Sequence, residues 1–157
     1  MTEGFTHLDA SGAAHMVDVA HKDVTEREAT ARALVTVSAD VAAKLRGEGV
    51  PKGDALAVAR IAAISGTKRT PDLIPLCHPL AVHGVDVHID VRDQSVDITV
   101  TVRTADRTGV EMEALTGAAV GALALIDMVK GLDRMAAIDR VELLEKKGGR
   151  SGHWVRP

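Results

Sequence analysis

The chain has 157 residues, enough for one domain with a proper core, and a formal net charge of -3. That charge gives no global field for nucleic acid, and the two aromatic residues, Phe5 and Trp154, give no platform on which single-stranded bases could stack. The lone Cys77 excludes an intramolecular disulfide and fits a reducing compartment; with no secretory signal, and Ala118 to Ile126 as the longest uncharged apolar run, a cytoplasmic protein without nucleic-acid or membrane partners is expected.

Residues 1–24 show no sustained periodicity and read as an extended, partly mobile arm; residues 25–157 read as a single α+β domain. Glu28 to Val37 is a strand candidate despite its alanines. Ser38 suits the N-cap of a short helix from Ala39 to Arg46, closed by Gly47 and Gly49. Asp54 to Ile64 predicts a second helix, apolar on nearly every side except Arg60, as in helices buried against more than one neighbour. Thr70 to Pro79 carries prolines at 71, 75 and 79 and reads as a stiff loop that cannot continue a helix.

Two strands follow. Val85, Val87, Ile89 and Val91 alternate with polar residues, as do Val96, Ile98, Val100 and Val102, with Asp93 and Gln94 at the bend of an antiparallel hairpin. A long helix then runs from Glu111 to about Lys130, charged at both ends and nearly uncharged between. Glu113 and Asp127 lie within about 40° of each other on one helical face but about 21 Å apart along the axis. Gly117, Gly121 and Ala124 on that face are small, which suggests close approach of another chain. Either the charged ends serve different sites, or one site is built from more than one chain. A last strand spans about Ile138 to Leu144, followed by a basic, glycine-rich tail from Lys146 to Gly152. The order strand, two helices, hairpin, helix, strand predicts a ferredoxin-like α+β sandwich, an antiparallel sheet with helices packed on one face.

Several groups could do chemistry. Lys52 precedes a helix start and Asp127 sits near a helix end, each with the wrong sign for the macrodipole. They are either solvated surface charges or residues held for function. Asp127 and Lys130 are three residues apart and can meet, as an exposed ion pair or as a proton-transfer pair with a lysine pKa lowered by neighbouring cations. Glu111 and Glu113 favour the helix start on dipole grounds alone. Cys77-His78 forms no metal cluster with other residues, and a cysteine beside a histidine that hydrogen-bonds a ligand is the better reading. The tail lacks a Walker pattern, although lysines and exposed backbone N–H groups can hold phosphate. His88, on the polar face of a strand, is most simply a solvent or interface residue.

Assembled, the segments go further. His15-Met-Val-Asp-Val19, Lys52-Gly-Asp54, Ala59-Arg-Ile-Ala62, Lys68-Arg-Thr70, Asp72-Leu-Ile-Pro-Leu-Cys-His-Pro-Leu80, Thr108-Gly-Val-Glu-Met-Glu-Ala-Leu-Thr116, Asp127-Met-x-Lys130 and Lys146-x-Gly-Gly-x-Ser-Gly152 occur in this order. Together they resemble the cyclic pyranopterin monophosphate synthases of molybdenum cofactor biosynthesis, from about residue 6 to residue 153. Arg150 stands where that family favours lysine; arginine keeps the charge but not the point-charge geometry.

The resemblance implies a lyase that converts 3′,8-cyclo-7,8-dihydroguanosine 5′-triphosphate to cyclic pyranopterin monophosphate and pyrophosphate, with no metal or organic cofactor. It implies Asp127 and Lys130 as the catalytic pair, with Lys52 and Lys146 in support. It also implies that Leu76, Cys77, His78, Met112 and Glu113 contact the substrate, with Glu111 beside them. It implies a homohexamer, a trimer of dimers, with its site at a subunit interface. The competing reading is a non-catalytic oligomeric regulator that binds a nucleotide or pterin on the same fold.

Overall fold

The computed structural model describes residues 6–157. Phe5 and the start of the expected arm lie outside the described residues. β1 (Thr25–Thr36) buries Ala29, Ala31, Ala33 and Val35, so its period-two alternation defines one inner face. The strand starts three residues earlier than its composition suggests, because it pairs with β3 along its whole length, from Thr25 opposite Asp106 to Thr36 opposite Ser95. β2 (Gly84–Val91) and β3 (Ser95–Asp106) form the expected hairpin, closed by the Arg92 N–H donating to the Ser95 carbonyl at 2.8 Å. β4 (Ala137–Lys147) runs antiparallel to β1 and is longer than expected, so it already contains Lys146.

The sequence pattern gives no sign of β5 (Trp154–Val155), which pairs antiparallel with β4. What reads as a basic tail is therefore the turn of a hairpin. Gly148 and Gly149 adopt φ of +88° and +74° there, and a Cβ on Gly148 would stand 2.2 Å from the Glu26 carbonyl oxygen. The sheet order is β2-β3-β1-β4-β5, all antiparallel, and its first four strands give the ferredoxin-like arrangement.

The helices cover one face. α1 (Ala39–Arg46) is capped by Ser38, whose Oγ accepts from the Val41 N–H at 3.3 Å. α2 (Ala55–Thr67) is capped by Asp54 through the Ala57 N–H at 2.9 Å and runs three residues past the expected Ile64. α3 (Thr70–Leu73) corrects the expectation that the proline-rich segment holds no helix. Pro71 sits in its first turn, where a missing N–H has no intrahelical acceptor to lose.

α4 (Glu111–Val129) packs beside α2 on the sheet, α4 over β1, β3 and β4 and α2 over β2. Here the structure overturns a second expectation. Gly117 and Gly121 do not admit another chain; they admit α2 of the same chain. A Cβ on Gly117 would stand 2.7 Å from Thr67 Cγ2, and one on Gly121 would stand 3.0 Å from Ala63 Cβ. Ala59 and Ala63 of α2 are fully buried against this row, whereas Ala124 is half-buried. Leu125, Val129, Val96, Ile98, Val100 and Val102 complete the core, each contributing about 1.5–3 kcal/mol by leaving water.

Candidate functional site

The first charged end of α4 opens into a cavity of about 370 Å³. The six residues expected to contact substrate all line it: Leu76, Cys77 and His78 from the loop after α3, and Glu111, Met112 and Glu113 from the first turn of α4. His78 Nε2 is hydrogen-bonded to the Val17 carbonyl, which ties the arm to this loop. Arg107 Nε donates to the Lys22 carbonyl at 2.9 Å, fixing the arm a second time. Val17 and Lys22 thus join the cavity wall. The His15 to Val19 motif carries no hint of this placement in its own residues, because nothing local states where an aperiodic segment docks.

Glu113 is 3% exposed. Burial pushes its carboxyl up to about 7, and the nearby Glu111 carboxylate adds to the rise. Burial and Glu113 together also raise the Cys77 thiol, so this cysteine is no activated nucleophile. Lys146 reaches Glu111 from β4, Nζ to Oε1 at 3.1 Å.

The second charged end is different. Asp127 Oδ1 meets Lys130 Nζ at 2.6 Å, and Lys52 Nζ lies 3.4 Å from Asp127 Oδ2. Lys52 also donates to the Asp127 backbone carbonyl at 2.7 Å. Lys130 first and Lys52 second hold the Asp127 carboxyl below its ordinary range. All three side chains are about half exposed. The two dipole mismatches seen in the sequence resolve each other. Lys52 turns away from the start of α2 and caps the carbonyl end of α4, where a cation is favoured, and Asp127 is offset by two ammonium groups. A tight loop makes this reach possible: Val50 and Gly53 form a bridge, and Gly53 has φ of +112°.

Lys146 does not join Asp127, Lys130 and Lys52, although the resemblance grouped the four. Within one chain it belongs to the Glu111 end. Glu113 and Asp127 are separated by about 21 Å of helix. A larger groove, about 770 Å³, lies elsewhere, between Glu26, Glu28, Arg103 and Lys147. Three of its charges are already paired: Arg103 with Glu28 and, outside the groove, with Asp86, and Lys147 with Glu28. His88 is exposed on β2, as expected.

A model of the MoaC family matches residues 16–149, a span holding every expected catalytic and substrate-contacting residue. The chain belongs to the MoaC family. It is 62% identical over 151 residues to a cyclic pyranopterin monophosphate synthase of Streptomyces coelicolor, covering 96% of this chain and 89% of that protein. It is 63% identical over 151 residues to the protein of the same name from Streptomyces griseus, covering 96% and 85%. A Nocardioides protein of that name is 58% identical over 155 residues, covering 97% and 95%. In this MoaC chain the two charged ends of α4 carry separate clusters of the expected site residues, one lining a cavity and one half exposed.

Proposed function

We propose that this MoaC chain converts 3′,8-cyclo-7,8-dihydroguanosine 5′-triphosphate to cyclic pyranopterin monophosphate with release of pyrophosphate, in molybdenum cofactor biosynthesis. One observation carries the reading: a single helix presents a buried carboxyl titrating near neutrality at one end and a carboxylate clasped by two ammonium groups at the other. Ring opening and pterin closure need several proton transfers, and groups poised near neutral pH serve them well. Glu113 can donate or accept at ring nitrogens in the cavity. Asp127, Lys130 and Lys52 form the acid–base and phosphate-facing set. When a substrate hydroxyl attacks the α-phosphorus, its O–P bond forms, the bond to pyrophosphate breaks, and the hydroxyl proton passes to a base. Lysines on the phosphate oxygens offset the growing charge.

Both halves act on one substrate when neighbouring chains supply them. In this reading the protein is a homohexamer, a trimer of dimers, and each pocket takes Glu113 from one chain and Asp127, Lys130 and Lys52 from another. The helical separation supports it, as do the exposed apolar side chains Val58, Ile61 and Leu123 on the helix layer. Lys146 then supports the Glu113 half. In this reading the arm expected over 1–24 serves the catalytic domain, 25–157, its described part reaching the cavity wall where Val17 meets His78. The setting is cytoplasmic, and the step uses no added cofactor.

Incubation with the cyclised GTP derivative, followed by mass spectrometry, tests the assignment. The expected products are the cyclic monophosphate and pyrophosphate. Binding without release of pyrophosphate would instead favour the regulator.

A further inference from the structure

The sheet continues past β4. Trp154 pairs with Lys146 across the β4–β5 ladder, and Val155 pairs with Glu145. Residues directly opposite in an antiparallel pair send their side chains to the same face, with Cβ atoms about 4.5–5.5 Å apart. Lys146 also lies opposite Ala29, which is buried on the helix side. Its neighbour Lys147 turns to the other face and meets Glu28 at 3.0 Å. The indole therefore stands on the helix side, beside the aliphatic stem of Lys146.

Its position is fixed from both directions. The Arg156 N–H donates to the Leu144 carbonyl at 2.8 Å, and Arg156 Nε donates to the Leu143 carbonyl at 2.6 Å. The Arg156 guanidinium sits 5.9 Å from the indole centroid, and His153 Nε2 lies 2.6 Å from Glu145 Oε1. Yet Trp154 is 38% exposed, on a strand of two residues at the chain end, so the core does not depend on it. It also lies beyond the residues that the family model matches.

We propose that Trp154 is a positioning residue for Lys146. Its ring walls one side of the lysine stem, so the ammonium stays on Glu111 at the wall of the Glu113 cavity. The effect of that placement on turnover rests on the reaction proposed above.

The test uses the full chain as wild type, Trp154→Ala, Trp154→Phe, Lys146→Ala and the Lys146→Ala/Trp154→Ala double variant, turning over the cyclised GTP derivative. Trp154→Ala is expected to lower kcat by about tenfold to a hundredfold, as for other misplaced groups, with the unfolding midpoint unchanged. Trp154→Phe, which keeps a ring, restores most of that loss. In the Lys146→Ala background, adding Trp154→Ala changes the residual rate by less than about twofold, the mark of two residues acting as one unit. Equal losses in both backgrounds, a Trp154→Ala rate equal to wild type, or a Phe variant as slow as the Ala variant overturns the proposal.

A wild-type chain that releases no pyrophosphate defeats the assigned reaction instead. The positioning role is then read from the emission of the chain's single tryptophan. Lys146→Ala shifts that emission if the stem packs on the indole; an unchanged spectrum overturns the contact.

Discussion

Lys52 and Asp127, 75 residues apart in sequence, are joined through the backbone: the lysine Nζ donates to the aspartate carbonyl oxygen at 2.7 Å. The loop between α1 and α2 is thereby tied to the far end of α4. The same ammonium faces the Asp127 carboxylate, so one lysine both caps a helix and joins Asp127 and Lys130 in an ion cluster.

Lys52→Met is expected to lower kcat by about a hundredfold or more, the scale of a lost proton-transfer or charge-stabilising group. Its thermal unfolding midpoint stays near wild type, because the pair it breaks is half exposed and screened. Steady-state kinetics beside a melting curve checks both halves of the statement.

Glu113 links stability to pH. Its folded pKa of about 7 lies above the ordinary glutamate value of 4.5, so between these limits the folded state binds more protons than the unfolded state. Its stabilising contribution is complete below about pH 4.5 and is lost as pH rises through about 7. Glu113→Gln removes this loss. The variant should gain on wild type by roughly 3 kcal/mol between about pH 4.5 and 8, since each tenfold difference in proton affinity is worth about 1.36 kcal/mol. The comparison must be a difference between the two proteins, because Asp127, Glu142 and Glu145 have lowered pKa values and contribute with the opposite sign. Urea unfolding of both proteins across this range measures it.

Gly117→Val is expected to destabilise the chain by about 1–3 kcal/mol or more, since the new side chain meets Thr67 and the Ala63 carbonyl of α2. The loss should be independent of protein concentration, because the contact is within one chain. A loss that grows on dilution would mean that the glycine faces another subunit.

The sheet is legible in the sequence because Val85 to Val91 and Val96 to Val102 alternate strictly, and alternation names the buried face. The small row on α4 is equally visible, but periodicity says only that something packs closely there. Whether it is α2 or another chain depends on contacts between residues more than 50 apart in sequence, such as Ala63 with Gly121. The same limit hides the split of Lys146 from Lys52: both are single cations near turns, and only the register of β4 against β1 directs Lys146 to Glu111. β5 escapes detection because two residues are too few to carry a period. α3 escapes it when proline is read only as a helix breaker, although Pro71 occupies the one turn that tolerates it. The six cavity residues are found through their motifs, which hold them in two short segments.

Subunit mixing tests the shared pocket most directly. Glu113→Ala and Asp127→Ala chains, each inactive alone, are unfolded together and reassembled. Shared pockets predict that activity returns, to about a quarter of the wild-type rate for random pairing across a two-fold axis. A mixture that exchanges subunits and stays inactive would contradict them.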